Sequence, residues 1–342
     1  MSEVSIIGVD IAKRVFQVHG ARADGSVAFR KKLSRAQFVP FLAAQPFCIV
    51  AIEACATAHG LGREIEKIGH TVRLIPTIYV KPFVKRQKND AADAEAIAEA
   101  ASRPTMSFVA VKTQDQQARA MLFRTREMFV GQRTQMITAL RGHLAEHGVV
   151  APRGPAHVKR LVDALGDEHL TFPKMVRQLG CVYVEQIRML DDRIADIDRT
   201  MRVEASQAEM TRRLQTMPGV GPITAMAVET FGPPIESFRR GRDFSAWLGF
   251  VPRQHSTGGK QRLGKTSKIG QRDIRRLLIT GAMAVIRAAS RYGASEGSWL
   301  ERMLAKKPRM LVAIALANKM ARRLWAMMTK QENYRNPAVV TA

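Results

Sequence analysis

The sequence predicts a mixed α/β domain followed by a long, mainly helical remainder, and three patterns predict it. Alternating and continuous apolar runs fill the first 76 residues, interleaved with helical stretches. From residue 113 onward apolar side chains recur at helical spacing. Proline and glycine clusters, "APRGPAHV" and "MPGVGP", then punctuate that helical part. The expected division is 1–110, 111–208 and 209–330, with 331–342, which includes "QENYRNPAVVTA", as a flexible tail.

Residues 4–10 ("VSIIGVD") and 15–20 ("VFQVHG") read as strands, and "ADGS" at 23–26 is a hairpin turn leading into a third, "VAFRKKL". A helix is expected from Ser34, with Phe38, Phe41 and Leu42 on one face. "FCIVAIE" is a nearly continuous apolar run, the pattern of a strand buried on both faces. Another helical stretch leads to "TVRLI", which stops at Pro76. In 113–205 the periodicity is helical throughout, with a stop at Gly148. Ile187, Leu190, Ile194, Ile197 and Met201 step by three and four, a heptad seam. That seam predicts a long antiparallel coiled-coil arm or a dimer contact; a plain bundle packed on the body is the alternative. The third segment is expected to be helical to about 330, interrupted by a different kind of loop at 252–270. Trp247 and Trp325 lie in apolar helical contexts and read as core residues.

The charge balance is unusual. There are 54 Lys and Arg against 30 acids, a formal net charge of +24. Such a chain favours a polyanionic partner, nucleic acid before an anionic membrane surface. The apolar stretch "MLVAIALANKMARRLWAMM" is broken by Lys319, Arg322 and Arg323 and is too charged to span a bilayer. No signal peptide is read at the N-terminus. Cys48, Cys55 and Cys181 have no metal-like or paired spacing, which suggests buried small hydrophobes in a reducing, cytoplasmic setting.

Asp10 ends the first strand and Glu53 ends the buried one, so in neighbouring strands both acids emerge at one edge. Asp90 and Asp93 stand three apart at the start of an Ala-rich helix and share a face. Each acid alone has a bland reading: Asp10 in a turn, Glu53 on the surface, Asp90 as a helix cap. Together, four carboxylates from three segments suit Mg²⁺ or Mn²⁺ and the clamping of a phosphoryl displacement. Tyr79, Lys81, Lys85, Arg86 and Lys88 precede the Asp pair and are expected to guide a nucleic-acid strand toward it.

Residues 252–276 hold eight Lys or Arg and one acid, Asp273. Arg253, Lys260, Arg262, Lys265, Lys268, Arg272 and Arg275 are expected phosphate contacts. Gly258, Gly259, Gly264 and Gly270 allow close backbone approach to a ligand. Ser256, beside Thr257, reads equally as a nucleophile that stores phosphate as a phosphoester or as a phosphate-gripping hydroxyl. "MPGVGPITA" resembles a hairpin turn between helices, with Gly219 and Gly221 presenting amides to a phosphate, or a tight turn with no ligand. Arg239, Arg240 and Arg242 track a backbone or line a solvated turn. "HLAEH" at 143–147 matches the inverted zinc-protease pattern, but without a distal acid it is a chance match.

The order strand Asp, buried-strand Glu, helical Asp-x-x-Asp resembles the DEDD tetrad of ribonuclease H-like nucleases, the group that includes the RuvC-type Holliday-junction resolvases. "DIAKRVF" lacks the D-x-G-T turn of actin-like sugar kinases. With "MPGVGPITAMAV" and "GFVPRQHSTGGKQRLGKTSKIGQRDIRRLLITGA" downstream, the chain resembles, over roughly 5–330, transposases of the insertion-sequence 110 family, 1111 subgroup. The resemblance implies an N-terminal RNase H-like (RuvC-like) domain, a coiled-coil arm and a mainly helical C-terminal transposase domain. It implies metal carboxylates at Asp10, Glu53, Asp90 and Asp93 and a serine nucleophile at Ser256. It further implies donor and target DNA, a guide (bridge) RNA and a homo-oligomer, dimer or tetramer, as partners. A RuvC-like nuclease using water, and a non-catalytic nucleic-acid-binding protein, are the alternatives.

Overall fold

The computed structural model describes residues 3–85 and 89–336, and the chain divides into two compact units, Met1–Gln117 and Ala118–Ala342. The first unit is built on a five-stranded sheet in the order β3-β2-β1-β4-β5. Its strands are β1 (Val4–Ile11), β2 (Val15–Arg22), β3 (Val27–Ser34), β4 (Ile49–Glu53) and β5 (Thr71–Ile75). β1, β2 and β3 pair antiparallel, whereas β4 joins the other side of β1 in parallel and β5 follows in parallel. The alternating runs at the N-terminus become the meander, and the unbroken run becomes β4. Val50, Ala51 and Ile52 are all fully buried, so β4 is covered on both faces.

Helices form both outer layers. On one face lie α1 (Arg35–Ala43) and α2 (Ala58–Lys67), packed on Ile7, Val9, Phe16, Val18, Val50 and Ile52. Ser34 starts α1 with a reciprocal capping box to Gln37, and Phe38 and Leu42 bury its inner face. On the other face lie α3 (Thr77–Val80) and α4 (Asp90–Ser102), whose Ala96, Ile97 and Ala100 cover Ala51 and Ile75.

The remaining helices are α5 (Gln114–Ala145), α6 (Val158–Gly166), α7 (Lys174–Gln207), α8 (Glu209–Gln215), α9 (Pro222–Phe231), α10 (Gly241–Trp247), α11 (Arg272–Tyr292), α12 (Trp299–Lys306) and α13 (Arg309–Lys330). α5 and α7 run antiparallel. Arg119, Arg126 and Arg133, one heptad apart on α5, pair with Glu204, Asp198 and Asp191 in reverse order on α7. The seam of α7 is buried at Ile187, Leu190, Ile194 and Met201. The core of the second unit gathers α8–α11 and α13 around Met217, Phe244, Leu278, Ala313 and Leu324. Trp247 stacks near Phe244 at 5.9 Å, and the Trp325 indole donates to the Phe238 carbonyl, both at the edge of that core.

Three sequence expectations change. The 252–270 loop contains a two-stranded hairpin, β6 (Pro252–Gln254) and β7 (Leu263–Thr266). The tail is tied down as far as it is described: the Tyr334 amide donates to the Thr216 hydroxyl, and the Arg323 guanidinium donates to the Tyr334 hydroxyl. Residues 337–342 lie outside the described residues. Of the cysteines only Cys48 is buried, with burial pushing its thiol up to about 11; Cys55 and Cys181 are exposed. No helix among the described residues is long and apolar enough to cross a membrane.

Candidate active site

Parallel pairing places the acids of β1 and β4. Gly8 is opposite Ala51 and Val9 opposite Ile52, so the next step along each strand brings Asp10 and Glu53 to the same sheet edge. Side chains alternate faces along a strand. Asp10 therefore shares its face with Gly8, and Glu53 with Ala51, and that is the face covered by α4. Gly8 sets the distance of that helix: a Cβ there would stand 2.2 Å from the Ala94 carbonyl oxygen and 2.6 Å from the Ala98 nitrogen. Only a glycine admits the helix so closely. One turn back toward its N-terminus, α4 carries Asp90 and Asp93.

Asn89 caps that helix through its side-chain oxygen, which accepts from the Ala91 amide at 3.0 Å. Asp90 is thereby released from the capping role its position suggested. Carboxylate oxygens of Asp10, Asp90 and Asp93 lie within 4.8 Å of one another, the only such group of three or more potential ligands among the described residues. Asp90 is exposed and the other two are half-buried. Three like charges at that separation repel, and a hard cation relieves the repulsion. Glu53 is not part of that mutual group, yet it is near it. The Cys55 thiol is pushed up by partial burial and then by the charges of Glu53 and Asp10. Thr57, at φ 74°, puts a left-handed non-glycine residue in the turn that follows Glu53.

Glu95, one turn from the acid cluster, was not singled out by sequence reasoning. It pairs with Lys85 at 2.5 Å and with Arg30 at 2.8 Å. Lys85 thus holds its segment to α4; Arg86 and Lys88 lie outside the described residues. His19 on β2 is 4% exposed, and its Nδ1 has no hydrogen-bond partner among the described residues. Burial lowers its pKa, Glu95 opposes this, and Arg30 and Lys85 add to it. Nothing in the local sequence of Glu95 or His19 marks them, because their partners are remote in the chain.

In the second unit Ser256 sits in the tip of the β6–β7 hairpin. Its hydroxyl accepts from the Arg262 amide at 3.1 Å, and the His255 amide donates to the Arg262 carbonyl at 2.8 Å. Gly258 and Gly259 have φ of 54° and 74°, the successive positive values that a tight two-residue hairpin turn requires. The Lys260 amide closes the turn on the Thr257 carbonyl. The Gly-Gly pair is therefore turn chemistry, a signal available in the sequence. Lys260, Arg262, Lys265, Lys268 and Ser256 are all exposed. Arg253 donates to the Ser267 carbonyl and Arg275 to the Leu248 carbonyl, so these two hold the base of the hairpin. Burial, then the charge of Arg272, lowers the pKa of Arg275. At Gly270 a Cβ would stand 1.8 Å from the Trp247 carbonyl oxygen, so that glycine serves packing.

Gly219 is likewise a packing residue, at φ 84° with its carbonyl oxygen 1.9 Å from where a Cβ on Gly281 of α11 would stand. Gly221 precedes Pro222 as the N-cap of α9 and has open space around it. Arg239, Arg240 and Arg242 are exposed, and Arg240 pairs with Asp243. His143 of "HLAEH" faces Tyr183, and its residues join no metal-ligand group among those described.

Comparison with known proteins places these features. Residues 7–148, which carry all four acids, match a transposase family of DEDD type from IS110 elements, and residues 211–295, which carry Ser256, match the family described as "Transposase IS116/IS110/IS902 family". A probable family 20 transposase of Pseudomonas aeruginosa is 44% identical over 97% of this chain and 99% of its own length. The transposase for insertion sequence element IS1328 of Yersinia enterocolitica is 40% identical over 96% of this chain and 98% of its own. That for IS1111A of Coxiella burnetii is 39% identical over 98% and 92%. The mixed sheet with its acid edge is compatible with an RNase H-like DEDD domain. Extended similarity of this order, over both the acid-bearing and the serine-bearing parts, makes the chain a member of the IS116/IS110/IS902 family of insertion-sequence transposases.

Proposed function

We propose that this transposase recombines DNA by serine chemistry assisted by its acid cluster, with an element-encoded bridge RNA choosing donor and target. The observation that carries the reading is the convergence of Asp10, Asp90 and Asp93 within 4.8 Å at the end of β1, with Glu53 ending the neighbouring strand at the same sheet edge. These oxygens are hard donors and fit Mg²⁺ or Mn²⁺, which, when bound, would offset charge developing on a scissile phosphate. Ser256 supplies the nucleophile. Its oxygen bonds to phosphorus as the bond from phosphorus to one strand oxygen breaks, and the serine proton passes, through solvent, to that leaving oxygen. A hydroxyl of a second strand then displaces the serine oxygen, so phosphodiester bonds are conserved and no energy-rich cofactor is consumed. The exposed Lys260, Arg262, Lys265, Lys268 and Arg272 hold the strand by its phosphates, with Arg86 and Lys88, which precede Asp90 in the chain, doing the same.

The division 1–110, 111–208 and 209–330, with its tail 331–342, is carried into this reading. In it the paired helices α5 and α7 serve as a coiled-coil arm through which subunits form a dimer or tetramer. A cytoplasmic location follows from the same reading. The test uses the gene with its native flanking DNA in a bacterial host, scoring excision junctions by PCR for wild type, Asp10→Ala and Ser256→Ala. Loss of junctions in both variants, with a covalent protein–DNA adduct in wild type only, is expected. If Ser256→Ala recombines while Asp10→Ala is dead, the Ser256 mechanism is wrong and the acids work without it, with Thr257 the only neighbouring hydroxyl left to exclude.

A further inference from the structure

The second unit contains a cavity of about 780 Å³ that the chemistry above does not use. It lies between the C-terminal end of α11, the 293–298 loop, α12 and α13, and the Met217–Pro218 turn closes one side. Two cations one turn apart on α13 line it, Lys319 and Arg323, together with Tyr292, Trp299 and Tyr334. Glu296 is the single acid among its described lining residues.

The cations are held by aromatic rings. Lys319 Nζ stands 4.8 Å from the Trp299 centroid. The Arg323 guanidinium stands 5.2 Å from the Tyr334 centroid and donates to its hydroxyl. Neither cation has a carboxylate within 4.0 Å among the described residues. Burial, then Arg323, Arg322 and Arg302, lowers the pKa of Lys319, which is the signature of cations crowded without a counter-ion. An anion entering the cavity relieves that repulsion. At the rim, the Tyr292 ring is 77% exposed, with the Arg291 guanidinium 5.2 Å from its centroid. An exposed aromatic ring beside unpaired cations is the combination that takes a base by stacking and its phosphate by charge.

We propose that this cavity binds one unstacked nucleotide of a single strand, its base on Tyr292 and its phosphate against Lys319 and Arg323. A duplex is too wide to enter, so the site reads an end, a loop or an opened strand. The "MPGVG" turn then acts as a wall of the nucleotide site through Met217 and Pro218, while Gly219 packs on α11. This rests on the chain handling nucleic acid, and not on Ser256 or the acids, so the excision assay and the following test fail separately.

The test is fluorescence anisotropy with the full chain and three labelled probes of one mixed sequence: single-stranded RNA, single-stranded DNA and blunt DNA duplex. Tyr292→Ala is expected to weaken binding of at least one single strand about tenfold while leaving the duplex within about twofold. Tyr292→Phe keeps the ring and is expected to bind as wild type. Lys319→Met keeps the stem on Trp299 and is expected to lower the salt slope of single-strand binding by about 0.7, one phosphate contact. A loss confined to RNA or to DNA names the source of the nucleotide, and a loss in both makes the site tolerant of sugar type. Unchanged single-strand binding by Tyr292→Ala, an equal loss with duplex, an equal loss in Tyr292→Phe, or an unchanged salt slope for Lys319→Met overturns the proposal.

Discussion

The acid edge of the first unit and the serine hairpin of the second hold their functional groups by different means. Asp10, Asp90 and Asp93 are set by the elements that carry them: a central strand, and a helix seated on Gly8 and capped by Asn89. Ser256 stands on an exposed two-stranded ribbon, set by a glycine turn and a bond from the Arg262 amide. One arrangement depends on packing and the other on local turn geometry. Packing of the strand and helix that carry the acids fixes their positions against like-charge repulsion, as metal ligation would need. A solvated ribbon keeps its hydroxyl and its cations available to a large polyanion.

The sharpest test of this contrast is removal of the functional groups themselves. Asp93→Asn and Ser256→Ala are each expected to lower excision by about a thousandfold or more, read as junctions by quantitative PCR. Neither is expected to lower the thermal midpoint, since Asp93→Asn relieves charge repulsion and Ser256 is exposed. Added Mn²⁺ is expected to raise the midpoint of wild type and not of Asp10→Ala, because a ligand held only by the folded state stabilises it. An equal rise in both would place the ion elsewhere.

Next in size is the support beneath the acids. Gly8→Ala puts a Cβ into the backbone of α4 and is expected to cost about 1–3 kcal/mol while cutting excision sharply. Unchanged excision would show that the distance of α4 does not position the acids. In the hairpin, Gly258→Ala meets open space and adds only left-handed strain, about 1–2 kcal/mol confined to the turn. The expected result is weaker excision with an unchanged midpoint; a fall like that of Gly8→Ala would make the hairpin part of the core.

The smallest effect concerns pH. Burial holds His19 below its usual pKa, so as pH falls below about 6.5 the unfolded chain takes up the proton first and the folded unit loses stability. His19→Gln is expected to flatten the fall in thermal midpoint between about pH 7 and pH 5.5. A wild-type slope in that variant would assign the acid sensitivity to other groups.

Much of the first unit was legible along the chain. Strand runs, the helix start at Ser34 and the buried run ending in Glu53 are local patterns, and each appears as read. The meeting of Asp10, Asp90 and Asp93 was legible from their positions at a strand end and a helix start, whereas Glu53, expected with them, stands outside their mutual group. The seam of α7 was legible from its spacing. The pairing of Lys85 with Glu95, by contrast, depends on how a loop returns to a helix, and no periodicity encodes it. The same holds for Arg253 and Arg275, whose charge pointed to phosphate but whose donors reach backbone carbonyls.

Periodicity, caps and turn residues are set by neighbours within a few positions, so order of elements, charge and the identity of the candidate reactive groups belong to the chain itself. Folding decided which groups meet. Parallel pairing of β1 with β4 brought Asp10 and Glu53 to one sheet edge, and the missing Cβ of Gly8 let α4 carry Asp90 and Asp93 to Asp10. The cavity that Lys319 and Arg323 line arose in the same way, from packing of α11, α12, α13 and the Met217–Pro218 turn, elements far apart in sequence. Long-range contacts of this kind follow from shape and burial summed over whole elements, which is why only the folded structure reveals them.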